Sequence, residues 1–179
     1  MQVVEAASSK LASPLAALVD AESDEDETGI PRVWQAPRAI LCIPGFSKLD
    51  EAAAIVLAQL LRRRGYGASA EQYDAMSVAK FFSLDLAETE FVCICYADRP
   101  SNAKLHYAVR RLTKKTKSAY VMALFLGPAA EELEKAPGLS ATTKTFATAL
   151  DAVEQKAREA SAASEVAADG VRAAPSVAG

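Results

Sequence analysis

Histidine occurs once in this sequence and cysteine only three times, in 179 residues. So few thiols and imidazoles exclude a disulfide scaffold and most zinc-site ligand patterns. Glycine and proline are also sparse, at eight each, which excludes collagen-like and Pro/Gly low-complexity chains. Long apolar runs are missing: the two longest, AAAIVLAQLL (52–61) and AYVMALFL (119–126), fall short of a bilayer-spanning helix. The opening MQVVEAASSKLASPLAALVD lacks the basic start and apolar core of a secretion signal. The cysteines lie inside apolar runs, so a reducing cytoplasm is the expected compartment.

What is present describes an ordinary globular protein. Apolar residues make up 51%, although 38 of the 179 are alanine; 24% are charged and the mean hydropathy is +0.06. The formal charge is −3, too small to predict a general attraction to nucleic acid or anionic membranes. Charge does divide the chain. Residues 1–37 are acidic, 38–127 are net basic, and 128–179 are acidic again. The run DAESDEDETG (20–29) has no large apolar residue and reads as a solvated linker. Before it, Leu11, Leu15 and Leu18 stand at helical spacing. The spacing admits a short helix within an otherwise flexible acidic segment, 1–37. The Ala/Ser-rich end, 161–179, is expected to be disordered.

Between these, 38–160 alternates. RAILCI (38–43), a stretch around 68–73, FVCICYA (91–97), AYVMALFLG (119–127) and part of 143–150 read as strands. Helices are predicted over 49–64, weakly over 77–86, then over 101–116, 128–136 and 149–160. The helix over 49–64 carries Asp50 and Glu51 in its first turn and Arg62–Arg64 in its last, matching its dipole. Such alternation predicts a five-stranded parallel sheet with helices on both faces, in the flavodoxin-like order 2-1-3-4-5.

The stretches CIPGFSKLDEAAAIVLAQLLRRRGYGASAE and SLDLAETEFVCICYADRPSNAKLHYAVRRL resemble a known family. They are similar to the cobalamin-binding-like cytoplasmic C-terminal domain of PerM-like transporters, the autoinducer-2 exporter family. The resemblance covers roughly residues 20–160. It implies a regulatory or sensing module that belongs to, or associates with, an inner-membrane protein, and no biochemical activity. Cobalamin binders of this fold carry Asp-x-His-x-x-Gly after the first strand. Here the same place reads Lys48-Leu49-Asp50-Glu51-Ala52-Ala53. Asp50 stands where the cobalt-ligating His would be, and carboxylate is a poor substitute for imidazole. No His-ligated cobalamin, and no other cofactor or metal, is therefore expected.

Ligands of open parallel sheets sit beyond the strand C-termini, at the switch point between strands 1 and 3. The candidate crevice comprises Pro44, Gly45, Ser47 and Lys48 from one loop and Asp98, Arg99, Ser101 and Asn102 from the other. Two helix N-termini aimed at it suit an anion, while the plainer reading is two polar loops with capping residues. A receiver-type phosphoryl acceptor lacks its acidic pair after strand 1. A flavin site lacks a Ser/Thr-rich loop there, and Gly65-x-Gly67 follows a helix rather than a strand. Cys42, Cys93 and Cys95 read as buried small apolar residues, and His106 as a surface residue without a catalytic partner. The distinctive surface feature is basic: Lys104, Arg110, Arg111, Lys114, Lys115 and Lys117 in and just after one helix. It is a solvated face or a surface for an acidic protein, an anionic lipid or the chain's own acidic linker. Nucleic acid is not expected, for want of a stacking set. Three functions remain open: a non-catalytic regulatory or ligand-sensing module, an enzyme or cofactor carrier using the crevice, and an interaction module using the basic helix.

Overall fold

The computed structural model describes residues 29–116, 118–127 and 136–172. The predicted helix over 128–136 and the leucine-bearing and acidic stretches before residue 29 lie wholly or almost wholly outside these residues. Five strands, β1 (Ile40–Pro44), β2 (Ala68–Ala70), β3 (Phe91–Tyr96), β4 (Tyr120–Phe125) and β5 (Ala141–Thr143), form one sheet. Its order is β2-β1-β3-β4-β5 and every pairing is parallel. Five helices accompany it: α1 (Arg32–Gln35), α2 (Lys48–Arg63), α3 (Val78–Ser83), α4 (Asn102–Lys115) and α5 (Phe146–Arg172). This is the flavodoxin-like α/β arrangement that the alternation predicts.

Strands β1 and β3 are buried along their whole length because both sheet faces are covered. On one face Ile40, Cys42, Phe91, Cys93 and Cys95 meet α2 and α5 through Ala54, Leu57, Leu61, Ala149 and Val153. On the other, Leu41, Ile43, Val92, Ile94 and Tyr96 meet α3 and α4 through Phe81, Leu105, Val109 and Leu112. Successive residues of each strand thus supply opposite layers.

Three expectations change. Residues 30–36 are not a free segment. Trp34 is 2% exposed and packs edge-on against Tyr66 and at a tilt against Phe91, with centroids 6.5 and 6.2 Å away. The chain is held there because Gly67 N–H donates to the Trp34 carbonyl at 2.8 Å. A Cβ at Gly67 would lie 1.8 Å from the Ala36 carbonyl oxygen, so only glycine permits this approach. Second, the last strand, Ala141–Thr143, meets the expected stretch 143–150 only at Thr143. Thr145 Oγ1 accepts from Thr148 N–H at 3.1 Å, which starts α5 at Phe146 and ends the extended chain. Third, α5 continues to Arg172, past the boundary at residue 160 set by composition. The alanines that make 161–172 look featureless are also the best helix formers. Residues 173–179 lie outside the described residues.

Candidate functional site

The crevice residues gather where topology places them, at the C-terminal ends of β1 and β3. Pro44 closes β1, in register with Cys95. Gly45 N–H donates to the Cys95 carbonyl at 2.9 Å. Ser47 is the N-cap of α2, its Oγ accepting from Asp50 N–H at 3.1 Å. Ser101 is the N-cap of α4, accepting from Lys104 N–H at 3.4 Å. Asp98 turns onto its own loop, where Oδ1 accepts from Arg99 N–H at 2.8 Å. Asn102 is the first residue of α4 and is half-buried. Arg99 is exposed. Lys48 extends its ammonium to within 5.9 Å of the Tyr73 ring centroid.

Between the two loops lies a side chain that the sequence pattern marks as a first-turn acid and a lost ligand. Asp50 is 5% exposed. Its Oδ2 accepts from Phe46 N–H at 2.9 Å and Ser47 N–H at 3.0 Å. Its Oδ1 accepts from Ala97 N–H at 2.8 Å. One carboxylate therefore caps α2 and ties the β1 loop to the β3 loop. Backbone N–H groups at a helix N-terminus are what an anionic ligand seeks in this fold. Here an internal carboxylate sits beside the α2 N-terminus, held by the Phe46 and Ser47 N–H groups just before the helix and by Ala97 N–H just after β3. The signal is present in the sequence as Ser47-x-x-Asp50, a capping-box spacing with Asp in place of Glu.

An aromatic ring stands beside the carboxylate. Tyr96, 1% exposed, stacks on Phe125 with centroids 5.3 Å apart. A Cβ built on Gly45 would fall 2.3 Å from Tyr96 Cε1, so the ring takes the space a larger residue would need. Its hydroxyl is buried without a hydrogen-bond partner among the described residues. Burial, reinforced by the Asp50 charge and then Cys95, holds the phenol well above the ordinary tyrosine range.

The basic helix separates into two groups. Arg111 and Lys115 clamp α3 to α4. The Arg111 guanidinium lies 3.9 Å from the Phe81 ring centroid and donates to the Met76 carbonyl at 2.6 Å. Lys115 Nζ donates to the Phe81 and Phe82 carbonyls at 2.5 and 2.9 Å. Lys104, Arg110 and Lys114 face outward with Tyr107. Lys104 covers Phe46, its ammonium 5.4 Å from the ring centroid. The α4 segment Asn102–Lys115 contains no carboxylate. Along it, Ala103, His106, Tyr107 and Arg110 line an open groove of about 380 Å³ with Pro137. His106 is half-buried rather than a plain surface residue, and its Nε2 is enclosed without a partner among the described residues. Lys117 lies outside the described residues.

The three cysteines are free and buried. Cys95 Sγ lies 3.9 Å from both the Cys93 carbonyl oxygen and Cys93 Sγ. Contacts with Cys42 and Cys93, together with burial, push the Cys95 thiol well up. Cys93 is raised too: its bond to Cys95 pulls it down, and burial together with the neighbouring Cys42 outweighs that pull. Among the described residues no group of three or more His, Cys, Asp or Glu is placed to hold a metal ion, and no helix is long and apolar enough to cross a membrane.

The fold and crevice define a flavodoxin-like α/β domain whose switch point is occupied by its own carboxylate. No protein-family model, curated protein or solved structure matches the chain.

Proposed function

We propose that the chain is a non-catalytic regulatory module that acts by docking a protein partner. The observation that carries this reading is the Asp50 carboxylate, seated on the three N–H groups of Phe46, Ser47 and Ala97. The position that serves anionic ligands in this topology is thereby committed to holding the loops together. A carboxylate fixed beside the α2 N-terminus repels an anionic ligand there, which disfavours the enzyme or cofactor-carrier reading. It also turns the sensing role from a small ligand toward a macromolecular surface.

The docking surface is the outward face of α4, with Lys104, Arg110 and Lys114 around Tyr107. Arg and Tyr are the residue types that anchor protein interfaces, and a face without carboxylates suits an acidic partner surface. The resemblance to PerM-like transporters supplies the partner class: a membrane protein of which this module is a part or an associate, with the module in the cytoplasm. The test is a photo-crosslinking amino acid at Tyr107 in living host cells. The expected result is one recurrent adduct that disappears with Arg110→Glu and Lys114→Glu. Absence of an adduct, or an adduct indifferent to both reversals, overturns the assignment.

A further inference from the structure

A second surface lies over α3 and the loop that follows it, and shares no residue with the outward face of α4. Helix α3 exposes two large apolar side chains one turn apart, Val78 at 66% and Phe82 at 79%. Phe82 is the most exposed large apolar residue among those described. Its ring stands at the edge of a pocket of about 490 Å³, which it lines together with Leu84, Leu86, Ala87, Lys115 and Ala119. An apolar cavity of about 150 Å³ is enough to hold benzene, so this pocket has room for a phenyl ring.

The fold keeps the ring out of its own pocket. The preceding residue, Phe81, is buried, with the Arg111 guanidinium over its ring and the Lys115 ammonium 5.0 Å from the ring centroid. Neighbouring helix residues point about 100° apart, so anchoring Phe81 inward turns Phe82 outward. Lys115 Nζ also donates to the Phe81 and Phe82 carbonyls, and α3 cannot roll without losing both bonds. The far wall of the pocket is fixed too. Arg38 has a φ of 69°, a conformation that arginine rarely adopts. Its guanidinium pairs with Glu71 at 2.8 Å and donates to the Asp85 carbonyl at 3.2 Å, and its own carbonyl accepts from Thr89 Oγ1 at 3.2 Å. The projecting ring and the pocket are both set before any partner arrives.

We propose that this surface pairs with itself, in a two-fold dimer in which Phe82 of each copy enters the pocket of the other. A second copy is singled out because one patch carries both halves of the contact. The ring borders its own pocket, so a rotation axis passing between them seats two rings at once, the isologous arrangement of a closed dimer. A foreign partner would need a ring and a pocket of its own at the same spacing. Charge points the same way. Asp85 and Glu88 are exposed on the loop and oppose an acidic partner or an anionic membrane. Under the two-fold the loop of one copy lies over α3 of the other, so these carboxylates do not face each other.

A contact built on one ring per copy makes a weak dimer, with a dissociation constant of about 10–100 μM. Sedimentation equilibrium of the full chain, across and well above that range, tests it with two variants. Phe82→Asp removes the ring and Ala87→Arg fills the pocket. Both residues are exposed, so both variants should keep the circular dichroism of the parent. Each alone is expected to weaken the dimer at least about tenfold. Mixed, they are expected to pair again: the ring of one enters the open pocket of the other, and the introduced carboxylate meets the introduced guanidinium. Independently of either variant's folding, a benzophenone side chain at position 82 should crosslink, in the covalent dimer, to residues 84–87 or 118–119 of the second copy. A parent that stays monomeric throughout overturns the proposal and leaves Val78 and Phe82 to another protein. A dimer that neither substitution weakens, or variants that stay apart when mixed, overturn it as well.

Discussion

Asp50 shows how one side chain can decide what a site is for. Its carboxylate satisfies the start of α2, as a capping box does, and reaches across to Ala97 N–H on the next strand's loop. Replacing it by Ala leaves three N–H donors without their charged acceptor. Asp50→Ala is expected to cost about 2–4 kcal/mol, read from chemical denaturation. Asp50→Asn, which keeps one acceptor oxygen, should cost less. Equal stability of Asp50→Ala and the parent would mean the bridge between the loops carries no energy. Tyr96, next to it, gives a pH signature. Its folded phenol titrates above the ordinary value of 10.0. A folded pKa raised in this way gives stability that is complete below that value and is lost as pH climbs toward the folded one. The thermal midpoint should therefore decline above pH 10, beyond any decline that the buried thiols begin at lower pH. Tyr96→Phe should flatten that decline at little cost at neutral pH, since its hydroxyl has no partner to lose among the described residues. An unchanged alkaline slope in Tyr96→Phe would remove Tyr96 from the explanation.

At the scale of elements, the basic helix illustrates why like residues in one run differ in role. Arg111 and Lys115 are spaced to meet α3, whereas Arg110 and Lys114, each one position earlier, face outward. Arg111→Ala removes a ring contact and a bond to the Met76 carbonyl and should destabilise by about 1–3 kcal/mol. Arg110→Ala should stay within about 0.5 kcal/mol of the parent, as exposed substitutions do. Paired urea titrations check both, and equal effects would contradict the division. Sheet order, helix faces and the location of the crevice are legible in the sequence, because apolar periodicity and strand–helix alternation encode them directly. The split of the basic run is not, since helical spacing alone does not say which neighbour a cation meets. Nor is the burial of Trp34, which depends on Gly67 letting two distant backbone segments touch. The start of α5 is hidden because TKTFATAL has strand-forming residues, while the Thr145 cap that turns it into a helix shows only in geometry. Asp50 is legible as a missing imidazole, but its use as a bridge requires knowing that Ala97 N–H lies within reach.

Taken together, the described residues present a carboxylate-bridged switch point and a cationic aromatic face on α4. Contact surfaces carry the proposed function, and the crevice only supports them. The direct test is complementation of a host strain lacking the gene, with two sets of substitutions compared side by side. Ser47→Ala, Lys48→Ala and Asn102→Ala change the rim of the crevice and leave Asp50 in place. Lys104→Glu, Arg110→Glu and Lys114→Glu reverse the outward face of α4 and leave the Arg111 and Lys115 clamp intact. The crevice set is expected to restore the host phenotype and the α4 set to fail, with both proteins folded and equally abundant. Restoration by the α4 set, with failure of the crevice set, would contradict a docking role and return the function to a ligand bound between β1 and β3.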